Sequence, residues 1–246
     1  MRGPAVLDRT RRPARILARA VLWDLRLQLR YQIVTVAVVV TALYGVLFRA
    51  LPAARADGVT ALLVFADPTT IGFLFIGVLV LFERGAETLY AVVVTPLSPG
   101  QYLWSKAISL TSIALPCGVF VAFAAKGGGF SPLPLVLGVT LTSLLLVFVG
   151  FVAVARVRSV NEYLLIVPLY LVPATAPLVA LAGIDHPVLY LFPTYGTVLL
   201  LEAAFQPLPA WQLGYAVAIL AVTVAGAYVW ARRTFERHVR QPGRSR

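Results

Sequence analysis

Phe82-Glu83-Arg84-Gly85-Ala86-Glu87-Thr88-Leu89-Tyr90-Ala91-Val92-Val93-Val94-Thr95-Pro96-Leu97-Ser98-Pro99-Gly100-Gln101-Tyr102-Leu103-Trp104-Ser105-Lys106 is a polar break between two long apolar runs. The runs on either side, residues 61–82 and 107–125, approach the ~20 residues a helix needs to cross a hydrocarbon core of about 30 Å. Backbone polar groups in lipid must pair internally, so runs of this length are helices. The break therefore joins two membrane spans. Glu83, Arg84 and Glu87, with Gly85 between them, charge a short amphipathic piece at the end of the first span, and the two acids share one helix face at i and i+4. Thr95-Pro96 stops that helix, since proline cannot continue the hydrogen-bond ladder. Leu97, Tyr102, Leu103 and Trp104 suit a membrane interface, where aromatic rings are favoured, and Lys106 closes the break.

The rest of the chain repeats this pattern of apolar runs and polar breaks. Of its 246 residues 60% are hydrophobic and 13% charged, with a mean hydropathy of +0.87. Soluble domains are about 45–50% apolar. Six spans are predicted, at residues 31–51, 61–82, 107–125, 133–155, 163–183 and 211–231. The fold class is an all-α polytopic membrane protein. Its parts are a basic cytoplasmic leader (1–30), a six-helix transmembrane domain (31–231) and a basic cytoplasmic tail (232–246). There is no convincing internal repeat and no linker to a second folded domain.

The net charge of +11 raises the question of nucleic acid, but its placement answers it. Eight Arg precede residue 31 and six follow residue 231. With the N-terminus inside, eighteen of the 21 basic residues face the cytoplasm, against Arg49, Arg55 and Lys126 outside. That asymmetry sets both termini in the cytoplasm, as an even number of spans requires, and points to anionic lipid and not to nucleic acid. Residues 14–30 read as an amphipathic interfacial helix. Arg15, Arg19, Arg26 and Arg30 share one arc, while Leu17, Val21, Leu22, Leu25 and Leu29 occupy another and Trp23 anchors the helix at the interface. Arg11-Arg12 is followed by Pro13 and Arg15 without a small-residue cleavage site, so no export signal is read there.

Little in the chain suggests catalysis. Cys117 is the single cysteine and excludes an intrachain disulfide. Lys126-Gly127-Gly128-Gly129 lacks the frame of a phosphate-binding loop and reads as a turn. His186 and His238 have no metalloprotease spacing, and Asp185-His186 reads as an outer turn before Pro187. Glu83 and Glu87 without a neighbouring histidine favour a docking surface for basic residues over a metal site. Asn161 and Glu162 either cap the fifth span or touch a partner. Asp67 is the one acid predicted inside a span, a position that defaults to a functional role, although it is equally a cap if the span starts later. Segment 184–209 is interrupted by Pro187, Pro193, Pro207 and Pro209 and carries no basic residue. It is predicted to be short re-entrant helices between spans five and six, shielded by protein.

The order of residues 82–106 resembles the E-R-x-x-G-T-x-x-x-L-x-x-T-P-L-S-x-x-x-x-x-x-x-K segment of ABC-2 transporter membrane subunits, with Ala86-Glu87-Thr88 where that family usually has Gly-Thr-Leu-Glu. Phe192-Pro193-Thr194-Tyr195 is similar to part of the family's re-entrant pair. The resemblance implies a type V exporter-like fold in the bacterial plasma membrane. Glu83, Arg84, Gly85, Glu87, Thr95, Pro96 and Lys106 would then form a coupling segment docking on an ATPase, Pro193 and Tyr195 belong to the re-entrant segment, and Asp67, Thr70 and Tyr170 line the translocation path. It also implies two copies of a separate ATPase that binds ATP and Mg, a second permease copy, identical or related, and no cofactor, metal or catalytic residue on this chain. Small ABC-2 permeases of this length often belong to drug or antibiotic exporters, including fluoroquinolone-exporter-like systems, so the expected substrate is an amphipathic drug or lipid. The rival readings are a haem-export or cytochrome-biogenesis-like permease, an ATP-independent carrier and an intramembrane enzyme.

Overall fold

A computed structural model describes residues 5–51, 56–85, 97–184 and 186–239, apart from the side chains of 5–13, 67–71 and 238–239. The described residues are mostly helical and include no strand. Among the described residues nine α-helices occur in order: α1 (Ala5–Arg30), α2 (Ile33–Ala50), α3 (Asp57–Thr69), α4 (Phe75–Gly85), α5 (Pro99–Lys126), α6 (Pro132–Val154), α7 (Val160–Thr175), α8 (Tyr195–Phe205) and α9 (Ala210–Val239). Short 3₁₀ turns at Ala176–Ala182 and Pro187–Leu191 link α7 to α8.

Among the described residues five helical stretches are long and apolar enough to cross a membrane: Ile33–Ala50, Pro99–Lys126, Pro132–Val154, Val160–Ala182 and Ala210–Arg237. The expected second span is broken into α3 and α4 by a π-helical turn at Thr70–Leu74, and neither piece is long enough alone. Pro68 removes one backbone donor just before this turn, and π-turns gather at functional places in helices. The third helix begins at Pro99, eight residues before the expected 107. Ser98 is its N-cap: Ser98 Oγ accepts from Gln101 N, Gln101 Oε1 accepts from Ser98 N, and Pro99 fills the first helical position. Tyr102 and Leu103 are consequently buried, and the partly buried Trp104 packs edge-on against Phe148 at 5.3 Å. The fifth span tightens to 3₁₀ geometry after Pro173, where Pro177 removes a further donor.

α6 forms the centre, packed against α5, α8 and α9. Glycines let its neighbours come close. A Cβ on Gly138 would sit 3.2 Å from Leu200 and Leu201 on α8, and one on Gly150 would sit 3.1 Å from the Phe73 carbonyl. α8 has only 11 residues and is buried on nearly every side, as a short helix inside a membrane protein must be. α7 is peripheral, with Leu165 80% and Leu169 72% exposed.

Candidate functional site

Three helices meet at the end of the molecule that carries the polar break. Glu83 lies in the last turn of α4, Lys106 two turns into α5 and Asp24 in α1, and all three are buried. Lys106 Nζ donates to Asp24 Oδ1 at 2.5 Å and also to Glu83 Oε1. Tyr102 Oη donates to Glu83 Oε2 at 2.6 Å. One turn further along α1, Gln28 Nε2 donates to Ser109 Oγ of α5 at 2.8 Å. A buried cation held by two carboxylates is costly to withdraw, because its departure leaves buried charges unpaired, a loss of about 3–5 kcal/mol. The cluster is thus a rivet that makes α1, α4 and α5 one body.

The residues expected to dock on an ATPase have different surroundings. The carboxylate of Glu83 and the ammonium of Lys106 point into the protein, with side chains 8% and 2% exposed. Arg84 Nη1 donates to the Val154 and Val157 carbonyls at 3.3 and 3.0 Å, tying α4 to the free end of α6. Gly85 is exposed, while Glu87, Thr95 and Pro96 lie outside the described residues. Asp24 was missed. It shares a helical face with Leu17, Val21 and Gln28, and two polar residues on the apolar arc of an Arg-rich helix were the available sign. That face turns toward α5, whereas Leu22, Trp23 and Leu29 are exposed, so the arc read as one apolar stripe is divided.

A second constellation surrounds the π-turn. α3 begins at Asp57, so Asp67 lies within the helix and is not its cap, and Thr70 opens the π-turn. Tyr163 of α7 is fully buried. Its hydroxyl donates to the Phe73 carbonyl in the π-turn, and its ring stacks on Phe73 with centroids 5.8 Å apart. The ring rests where Gly77 has no side chain. Phe73 also meets Tyr170 at 6.1 Å. Tyr170 in turn accepts a hydrogen bond from Arg156 Nη1 at 3.2 Å, and the Arg156 guanidinium lies 5.8 Å from the ring of Trp230 on α9. Of the three expected path residues, Tyr170 is thereby placed beside the break in the second span. Arg156 and Trp230, which were read as topology markers or not at all, stand next to it.

At the opposite end, Lys126 Nζ lies 2.5 Å from Asp57 Oδ1, and Gln206 Nε2 donates to Asp57 Oδ2 at 3.3 Å. Tyr195 is buried, 4.9 Å from Tyr190 and edge-on to it, and the Pro193 carbonyl accepts from Gly196 N in the first turn of α8. His186 accepts from Val188 N and caps a 3₁₀ turn. Glu162 accepts from Arg158 N, and its own N–H donates to Ser159 Oγ, so it is a cap residue of α7. Among the described residues no group of three His, Cys, Asp or Glu could hold a metal ion.

Residues 15–242 match the fluoroquinolones export permease protein family. The chain belongs to that family. Two curated proteins from two strains of Mycobacterium tuberculosis, each described as a fluoroquinolones export permease protein, are 36% identical to it over 230 residues, covering 92% of this chain and 97% of theirs. The permease family places the chain among multi-pass membrane transporters. The buried rivet and the broken second span are then parts of a permease.

Proposed function

We propose that this permease is the membrane half of an ATP-driven exporter. Two ATPase chains, which bind ATP and Mg, dock on the cytoplasmic side, where both termini also lie. A second permease copy completes the pathway. The substrates are flat amphipathic antibacterials of the fluoroquinolone kind. The observation that carries the mechanism is the rivet of Lys106, Asp24 and Glu83. Residues 86–96 lie between two ends, Glu83 and Lys106, that are locked to one another and to α1. A force applied by an ATPase to that segment, including Glu87, Thr95 and Pro96, passes into α4 and α5 as rigid levers. Above α4 the π-turn at Thr70–Leu74 supplies a place for the second span to bend. ATP binding would draw the coupling segments together and open the path outward.

The test is drug accumulation in inside-out vesicles that carry the permease and its partner ATPase. ATP should drive uptake of a fluoroquinolone, and a hydrolysis-dead ATPase should abolish it. Uptake that persists without ATP, driven by an ion gradient, would replace this reading with an ATP-independent carrier.

A further inference from the structure

We infer that Arg156, Tyr170 and Trp230 form a recognition site for a carboxylate attached to a flat aromatic ring system. This deepens the export reading by naming residues for its substrate class, and it rests on that reading only for the transport that follows binding. Arg156 sits just past the end of α6, exposed, and its guanidinium is turned onto the flanks of two spanning helices. It bonds to the Tyr170 hydroxyl and lies over the Trp230 ring. Tyr170 is ten residues past Val160, about 15 Å along α7, so Arg156 is engaged with the side of the helix bundle. No acid pairs with this guanidinium among the described residues.

A guanidinium has five donors in a planar fork that matches a carboxylate. One is used on Tyr170, which leaves the fork able to take both oxygens of an acid. Trp230, 44% exposed, offers a ring face on which a planar ligand can stack. A cation beside an aromatic plane therefore presents both halves of an aromatic acid with their counterparts: charge for the carboxylate, surface for the ring. A fluoroquinolone has this form, a carboxylate on a fused bicyclic ring. The site adjoins the π-turn through the Tyr170–Phe73 contact, so occupancy is felt where the second span is broken.

The test is titration of the purified full-length permease with quinoline-3-carboxylic acid and with its methyl ester, followed by tryptophan fluorescence and calorimetry. The wild type should prefer the acid by about tenfold or more, the scale of a charge-assisted two-point contact. Arg156→Gln should erase the preference, Arg156→Lys should restore part of it by keeping the charge without the fork, and Trp230→Leu should weaken acid and ester alike. Equal binding of acid and ester by the wild type overturns the site, as does an unchanged preference in Arg156→Gln. If Arg156→Gln does not fold, an undiminished preference in Arg156→Lys overturns it. Loss of phosphatidylglycerol binding in Arg156→Gln, with acid and ester still bound equally by the wild type, would assign the residue to lipid and also overturn the site. Acid preference that holds while vesicle uptake fails rejects the export reading and leaves the site standing; uptake that holds without acid preference does the reverse.

Discussion

Lys106 Nζ on α5 is 2.5 Å from Asp24 Oδ1 on α1, across 82 residues of sequence. The same ammonium holds Glu83 at the end of α4. Truncating the cation leaves two buried carboxylates facing each other, and removing one partner of a buried pair typically costs about 3–5 kcal/mol. Lys106→Met should therefore strongly lower the melting temperature of the detergent-purified permease and its level in the membrane. Replacing all three groups together with apolar residues should cost less than Lys106→Met alone, because no charge is then left unpaired. Additive losses across the series would show that the three do not act as one cluster.

The pair at the other end of α5 behaves differently. Lys126 and Asp57 are as close, 2.5 Å, but their side chains are 23% and 37% exposed. Water screens such a pair, and exposed ion pairs contribute about 0–1 kcal/mol. Lys126→Gln should shift the melting temperature little, and raising the salt concentration should shrink that shift further. A loss as large as that of Lys106→Met would mean that the Asp57–Lys126 contact is desolvated in the assembled exporter.

The contrast between these two lysines marks what the sequence makes legible. Hydropathy finds the spans because each must hide about 20 residues of backbone from water, and α6 and the fifth span begin and end close to where the apolar runs do. It fails at 99–106, where a capping box at Ser98 starts the helix inside the polar break and buries Tyr102 and Lys106 with it. It also reads residues 61–82 as one even helix, since a π-turn changes hydrogen-bond register without changing composition. Asp24 and Arg156 are charges whose meaning lies in partners 82 and 14 residues away. Counted by topology they are a leader acid and a cytoplasmic arginine; their contacts come only from packing.

Gly77 is held by a neighbour. The Tyr163 ring fills the space a Cβ would need, and Tyr163 is itself fixed by its bond to the Phe73 carbonyl. Gly77→Ala should cost about 1–3 kcal/mol, the usual range for overfilling a packed core. The cost should fall in Tyr163→Ala, where the ring is gone, so the two changes should show a coupling energy in a double-mutant cycle. Independent effects would place the ring away from Gly77. Because the pair grips the helix below the π-turn, Gly77→Ala should also reduce ATP-driven uptake beyond its effect on protein level.

Arg84 joins α4 to α6 through two main-chain oxygens, those of Val154 and Val157. Those carbonyls stand at or just past the end of α6, where the last helical carbonyls lack intrahelical partners. A cation there is favoured both by the hydrogen bonds and by the negative end of the helix dipole. Arg84→Ala should destabilise the isolated permease by about 1–3 kcal/mol, the range for losing charged hydrogen bonds to buried acceptors, and Arg84→Lys should recover part of the loss. The measurement is thermal melting of the permease without any ATPase present. A stability unchanged by Arg84→Ala, together with loss of the ATPase on co-purification, would return Arg84 to the docking surface and break its link to α6.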